Sequence, residues 1–150
     1  MAQTVGRVVD ERVLADFLAT AVEVLRDATG AEAVVEFEAR DASRETIVVM
    51  IRARGDLSGV TWSFPVMLVR EVASRMVGDM EIDRALIDAA ATELANILMG
   101  RAAHTLELHG LRLDMGVPEL GCLHSAPGIW ATLATPSGSV AVVFHPPEPA

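Results

Sequence analysis

Glu93 and Asn96 stand three positions apart in a segment whose apolar residues recur at helical spacing. Side chains with this spacing project from nearly the same patch of a helix surface. A carboxylate in such a patch can pair with a cation of a bound molecule, and an amide can both donate and accept hydrogen bonds. The amide can therefore orient a water molecule without acting as a strong base. Taken alone, a Glu-x-x-Asn pair is more often an ordinary solvated pair, so its surroundings decide its interpretation.

The residues around this pair are small for an exposed helix face. At about 100° per residue, six positions fall within one sector of roughly 80°: Ala89, Glu93, Asn96, Gly100, Ala103 and Glu107. Glycine costs about 1 kcal/mol relative to alanine in a helix interior. Met99 and Leu106 lie at the edge of the sector, where we expect apolar contact with a partner. The pattern predicts a surface that another protein approaches closely, through Ala89, Met99, Gly100 and Ala103. The alternative is that Gly100 marks close packing of a second helix within the same fold.

The helix that carries the pair is predicted from Asp83 to His109, and Gly110 ends it. Its other broad face is predicted to pack against a sheet, through Leu86, Ala90, Leu94, Ile97, Leu98 and Leu108. Two more helices are predicted over 10–29 and 66–77. Strands are predicted from β-branched and alternating residues over 34–37, 46–51, 60–64, 111–115, 129–135 and 139–145, with a less secure strand around Cys122. This order predicts an α+β fold, a mostly antiparallel sheet packed with two long helices plus an N-terminal helix.

Length and composition limit the function classes. A chain of 150 residues predicts a single domain over 1–150, with frayed ends at 1–9 and 146–150. The net charge of -9 argues against nucleic acid and anionic membranes as partners. Cys122 is the only cysteine, residues 1–7 lack the apolar stretch of a signal peptide, and no apolar run reaches about 18 residues. We therefore expect a cytoplasmic protein without a disulfide.

No metal-binding pattern stands out among the remaining residues. His104 and His109 are five positions apart and point to different sides of the predicted helix, which makes them a poor metal pair. His124 and His145 are isolated. We expect no metal and no cofactor bound by this chain itself.

The stretch from Asp88 to Gly100, DAAATELANILMG, resembles the signature helix of the CheC/CheX/FliY phosphatases. That signature is Glu-x-x-Asn followed by a small residue in an otherwise apolar helix. Segments 59–64, 76–80 and 106–118 also look similar to the family. The first helix offers Glu23 but has Arg26 where a second signature would carry asparagine. A single signature resembles CheX more than CheC.

The resemblance implies a function as well as a fold. It implies a homodimeric phosphatase that hydrolyses the aspartyl phosphate of a CheY-like response regulator, whose own site supplies the Mg²⁺. Asn96 would orient the attacking water, and Glu93 would pair with the regulator's active-site lysine. The alternative is a non-catalytic module of the same fold that binds a response regulator or serves as a scaffold. A third possibility is an unrelated α+β domain with a chance match.

Overall fold

Three helices and six strands make up the part of the chain that the computed structural model describes, residues 9–36, 45–78, 80–121 and 128–147. The helices are α1 (Glu11–Thr29), α2 (Val66–Val77) and α3 (Arg84–Leu108). The strands are β1 (Val34–Glu36), β2 (Thr46–Gly55), β3 (Gly59–Pro65), β4 (Leu113–Gly121), β5 (Ile129–Thr135) and β6 (Gly138–His145). Of the predicted frayed ends, 1–8 and 148–150 lie outside the described residues, and Val9 is buried.

All six strands join one sheet in the order β1-β5-β6-β3-β2-β4, and every neighbouring pair is antiparallel. The predicted hairpin between β5 and β6 is confirmed, with Thr135 opposite Gly138. The helices and this sheet confirm the α+β architecture predicted from the element order. The predicted strand around Cys122 falls in 122–127, outside the described residues.

The core lies between the helices and one face of the sheet. Val60, Trp62 and Phe64 project from one face of β3 and are fully buried, and the intervening Thr61 and Ser63 are buried as well because β3 is a central strand. Phe17 of α1 lies 5.8 Å from Trp62 and 4.8 Å from Phe144, measured between ring centroids. These aromatic contacts hold α1 against the middle strands.

Helix α3 is the central element, because it contacts α1, α2, β2 and β4. The Asp83 carboxylate accepts a hydrogen bond from the backbone N–H of Leu86 at 2.8 Å and caps its first turn. At the other end, Gly110 has a φ of 89°, a conformation that favours glycine. The predicted boundaries of this helix are therefore correct to within a residue.

The buried face of α3 differs from the predicted one. Ile97 is 40% exposed and Leu108 is 74% exposed, whereas Met99 and Leu106 are buried. The buried stripe is thus rotated by about a quarter of a turn from the predicted one. The reason is that α3 has two kinds of neighbour. Helix α1 covers one flank, where Thr20 meets Thr105 at 3.1 Å, and the sheet covers the next.

Candidate functional site

Glu93 and Asn96 are both exposed on α3 and project from the same patch, as the sequence predicted. Asn96 is also the only asparagine in the chain. Among the described residues, the side-chain hydrogen bonds and ion pairs of α3 are made by other residues: Arg84, Asp88, Thr92, Arg101 and Thr105. The Glu93 carboxylate and the Asn96 amide therefore face solvent, where they can contact another molecule.

The small residues beside this pair leave its surroundings open. Ala89 and Gly100 are exposed, and a Cβ placed on Gly100 would lie more than 4 Å from every other side chain and strand that the structure describes. Gly100 is therefore not required by packing within the fold, and the alternative that a second helix packs against it is wrong. A helical glycine that the fold does not need costs stability and leaves room for an approaching partner.

Two other predicted docking residues have little exposed surface. Met99 and Ala103 are buried, yet both line a groove beside Asn96. Leu106 is fully buried and has no surface to offer a partner. The expectation that Leu106 provides apolar contact is therefore wrong, because the rotated α3 turns this side chain inward.

The groove runs between α3 and the strands β2 and β4, and we call it the α3 groove. It has a volume of about 410 Å³, and its lining residues are Ile51, Asn96, Met99, Gly100, Ala103, His104, Glu107, Met115 and Gly116. Asn96 is the first α3 residue in this lining and Glu107 the last. They are eleven positions apart along the helix, which is about 16 Å. The groove thus extends the surface around Asn96 along α3.

A β-bulge forms the strand wall of the α3 groove. Ile51 pairs with Pro118 and Ala53 with Met115, so one extra residue is accommodated in β4. Sequence reasoning ended this strand at 115 and missed the groove residues on both strands. Pro118 is tolerated inside β4 because this strand lies at the edge of the sheet. The glycine at 116, two residues before a proline, was the available signal for a bulge.

The part of α3 around Asn96 and the groove is acidic, whereas Arg84 lies at the start of the helix and pairs with Asp88. Glu93 and Glu107 are exposed, whereas the Arg101 guanidinium lies 3.6 Å from Glu23 and 3.3 Å from Asp27 on α1. No arginine lines the groove in the described part of the chain, and the sequence contains no lysine. A partner with a cation near its contact surface complements this charge.

The three histidines among the described residues do not converge on a metal site. His104 lines the α3 groove, whereas His109 contacts Asp16 at 2.6 Å and His145 contacts Thr61 at 2.7 Å. The prediction that His104 and His109 point to different sides is confirmed, and His124 lies outside the described residues. Within residues 9–36, 45–78, 80–121 and 128–147, no group of three or more His, Cys, Asp or Glu side chains is arranged to hold a metal ion. No described helix is long and apolar enough to span a bilayer.

The arrangement offers an amide and a carboxylate to another molecule. Among the described residues that line the groove there is no serine or cysteine to serve as a nucleophile. Asn96 can position a water or a polar group, and Glu93 can bind a cation.

Solved structures with a similar architecture include chemotaxis proteins. A CheX chemotaxis protein from Desulfovibrio desulfuricans superposes with a TM-score of 0.69 at 18% identity, covering 89% of this chain and 97% of that one. CheX from Vibrio vulnificus gives a TM-score of 0.69 at 19% identity, with coverage of 89% and 95%. The chain thus has a CheX-like fold.

A third solved structure shows such a fold bound to a partner. The CheX–CheY–BeF3–Mg²⁺ complex from Borrelia burgdorferi matches with a TM-score of 0.67 at 19% identity, covering 90% of this chain and 97% of that one. No protein-family profile matches the chain, and no curated protein sequence does.

Proposed function

We propose that this protein is a phosphatase that hydrolyses the aspartyl phosphate of a CheY-like response regulator. The observation that carries the proposal is the exposed Glu93–Asn96 pair, which makes no side-chain hydrogen bond or ion pair with the described residues, on the central helix of a CheX-like fold. A similar fold occurs in complex with CheY, BeF3 and Mg²⁺. We combine the hydrogen-bonding amide and the carboxylate of this pair with a phosphorylated CheY-like partner.

Asn96 would position the attacking water. An aspartyl phosphate already bound to Mg²⁺ needs little covalent assistance, so catalysis rests on placing a water in line with the phosphorus. The water oxygen bonds to phosphorus while the bond from phosphorus to the acyl oxygen breaks. The products are the free carboxylate of the regulator and inorganic phosphate, which carries the two water protons and exchanges them with solvent. An amide can hold the water through a hydrogen bond without taking up its proton.

Glu93 would anchor the regulator by pairing with its active-site lysine. A desolvated ion pair in an interface can contribute more than the ~0–1 kcal/mol of an exposed pair. The acidic surface of α3 supports this orientation, since Glu93 and Glu107 both favour a cationic partner. The Mg²⁺ would belong to the regulator, and this chain would contribute the amide and the carboxylate.

Phosphate release from a panel of phosphorylated receiver domains, with and without this protein, tests the proposal. We expect accelerated release from at least one regulator and a loss of about 100-fold or more in kcat for Asn96→Ala. Binding of that variant to the BeF3-activated regulator should remain close to wild type. Ser74→Ala, an exposed polar position on α2, is the matched control and should keep full activity.

Two outcomes would overturn this assignment. Full activity in Asn96→Ala would show that Asn96 does not orient the water. Tight binding of a regulator without accelerated release would favour the non-catalytic module.

The proposed substrate belongs to cytoplasmic signalling, so we propose a cytoplasmic location as well. The resemblance to CheX also implies a homodimer. Sedimentation equilibrium should therefore give about twice the 16.0 kDa chain mass.

A further inference from the structure

The α3 groove continues from Asn96 along the helix, and the role proposed for Asn96 leaves the rest of it unassigned. Its floor is apolar, formed by Ile51, Met99, Ala103 and Met115. Its rim is polar and carries the Glu107 carboxylate and the His104 imidazole. A volume of about 410 Å³ is at the lower end of the range for ligand-sized pockets, which is about 300–1,000 Å³.

Gly100 keeps the α3 wall of the groove open, because a Cβ at this position would meet no other described side chain or strand within 4 Å. Gly116 lies on the strand wall, where the bulge brings it beside the groove. A Cβ at Gly116 would lie 3.2 Å from the Arg52 carbonyl oxygen, so this glycine allows the close approach of β2 and β4. A side chain at position 100 would narrow the space beside Asn96.

We propose that the α3 groove is a second contact site for the response regulator and determines which regulator is accepted. Its occupant would be an apolar side chain, flanked by a lysine or arginine, from the regulator segment that lies next to the phosphorylated aspartate. The apolar floor of the groove favours an apolar side chain. Glu107 on the rim favours a lysine or arginine beside it, because none of the described residues that line the groove is an arginine.

The distance between Asn96 and Glu107 along α3 supports separate roles for these two residues, in catalysis and in binding. Glu107 lies about 16 Å from Asn96 along α3, too far to contact the same phosphoryl group. Glu107 and the groove floor should therefore affect how tightly the regulator binds and leave the chemical step unchanged. This inference rests on the proposed function, but its readout is binding rather than turnover.

The test measures the Kd for the BeF3-activated regulator, together with KM and kcat for its phosphorylated form. We expect Glu107→Arg to raise Kd and KM about tenfold with kcat unchanged, and to reduce the dependence of Kd on NaCl concentration. Ala103→Met should fill the groove floor and raise Kd by a similar factor. Glu32→Arg changes the net charge equally at an exposed position outside the groove and should leave Kd within about twofold.

Because Glu107 is exposed, Glu107→Arg should fold like wild type, which thermal unfolding verifies. Unchanged Kd and KM in both groove variants, with activity still lost in Asn96→Ala, would refute the groove inference and leave the proposed function standing. Weakened binding in these variants without any phosphatase activity would support the groove and refute the phosphatase. If no activated regulator binds, both proposals are wrong.

Discussion

Gly100→Ala should stabilise the protein and impair its function at the same time. Gly100 is the seventeenth of the 25 residues of α3, well inside the helix, and no other described side chain or strand lies within 4 Å of the Cβ that the substitution adds. Alanine is favoured over glycine in a helix interior by about 1 kcal/mol. For a chain of this length, each kcal/mol raises the melting temperature by about 2–4 °C. We therefore expect a melting temperature about 2–4 °C above that of wild type.

The same methyl group should hinder the regulator. It extends about 1.5 Å from the helix backbone, one turn from Asn96, on the surface that we propose a partner contacts. A displacement of about 1 Å at a reacting centre can cost about 100-fold in rate. We expect kcat/KM to fall by about 10- to 100-fold, and Gly100→Gln to lower it further.

Thermal unfolding and phosphate release, measured on the same preparation, check this pair of effects. Damage to the fold would lower stability and activity together, so opposite signs identify a docking position. Ala19→Gln, on the exposed side of α1, is the matched control for added bulk and should leave activity unchanged. Wild-type activity in both Gly100 variants would refute the close approach of a partner. A lower melting temperature in Gly100→Ala would contradict the open space seen at this position.

Three further predictions concern the chemistry and the helix that presents it. The kcat should vary little between pH 6 and 8, because the proposed mechanism uses no titrating base on this chain. Stopped-flow measurements of kcat against pH check this, and a steep fall of kcat near the ordinary pKa of histidine would contradict the role of Asn96. Asp83→Ala removes the acceptor of the Leu86 N–H and should lower the free energy of unfolding by about 1 kcal/mol in urea titrations, whereas no change would show that this cap is not needed. Leu98→Ala, at a fully buried position of α3, should cost about 2–5 kcal/mol by the same measurement, and a smaller loss would mean that the core closes around the cavity.

Most helices and strands of the fold could be predicted from local sequence. The helix predicted from Asp83 to His109 has an aspartate at its start, a long run of residues that favour helix and a glycine directly after its end, and the structure confirms it. The β5–β6 hairpin follows from two alternating segments around Pro136-Ser137-Gly138. These signals are local, because caps and turns depend on neighbours within a few residues.

The face of α3 that is buried could not be read in the same way. A wheel of this helix is apolar on much of its circumference, and the prediction assumed a single neighbour for it. The structure places α1 on one flank and the sheet on the next, which buries Met99 and Leu106 and exposes Ile97 and Leu108. The residue pattern of a helix indicates which positions are apolar. Contacts with distant segments of the chain decide which of those positions are buried.

For this protein the sequence by itself determined the helices and strands, the antiparallel α+β class and the Glu93–Asn96 pair. These follow from periodicity, caps and the three-residue spacing along one helix. Only the tertiary structure decided that Gly100 opens onto solvent and that Asn96 borders a groove. That groove combines α3 with Ile51, Met115 and Gly116, and the bulge in β4 shapes its wall. The physical reason is that a groove requires two surfaces, and their separation depends on how segments distant in the chain pack together.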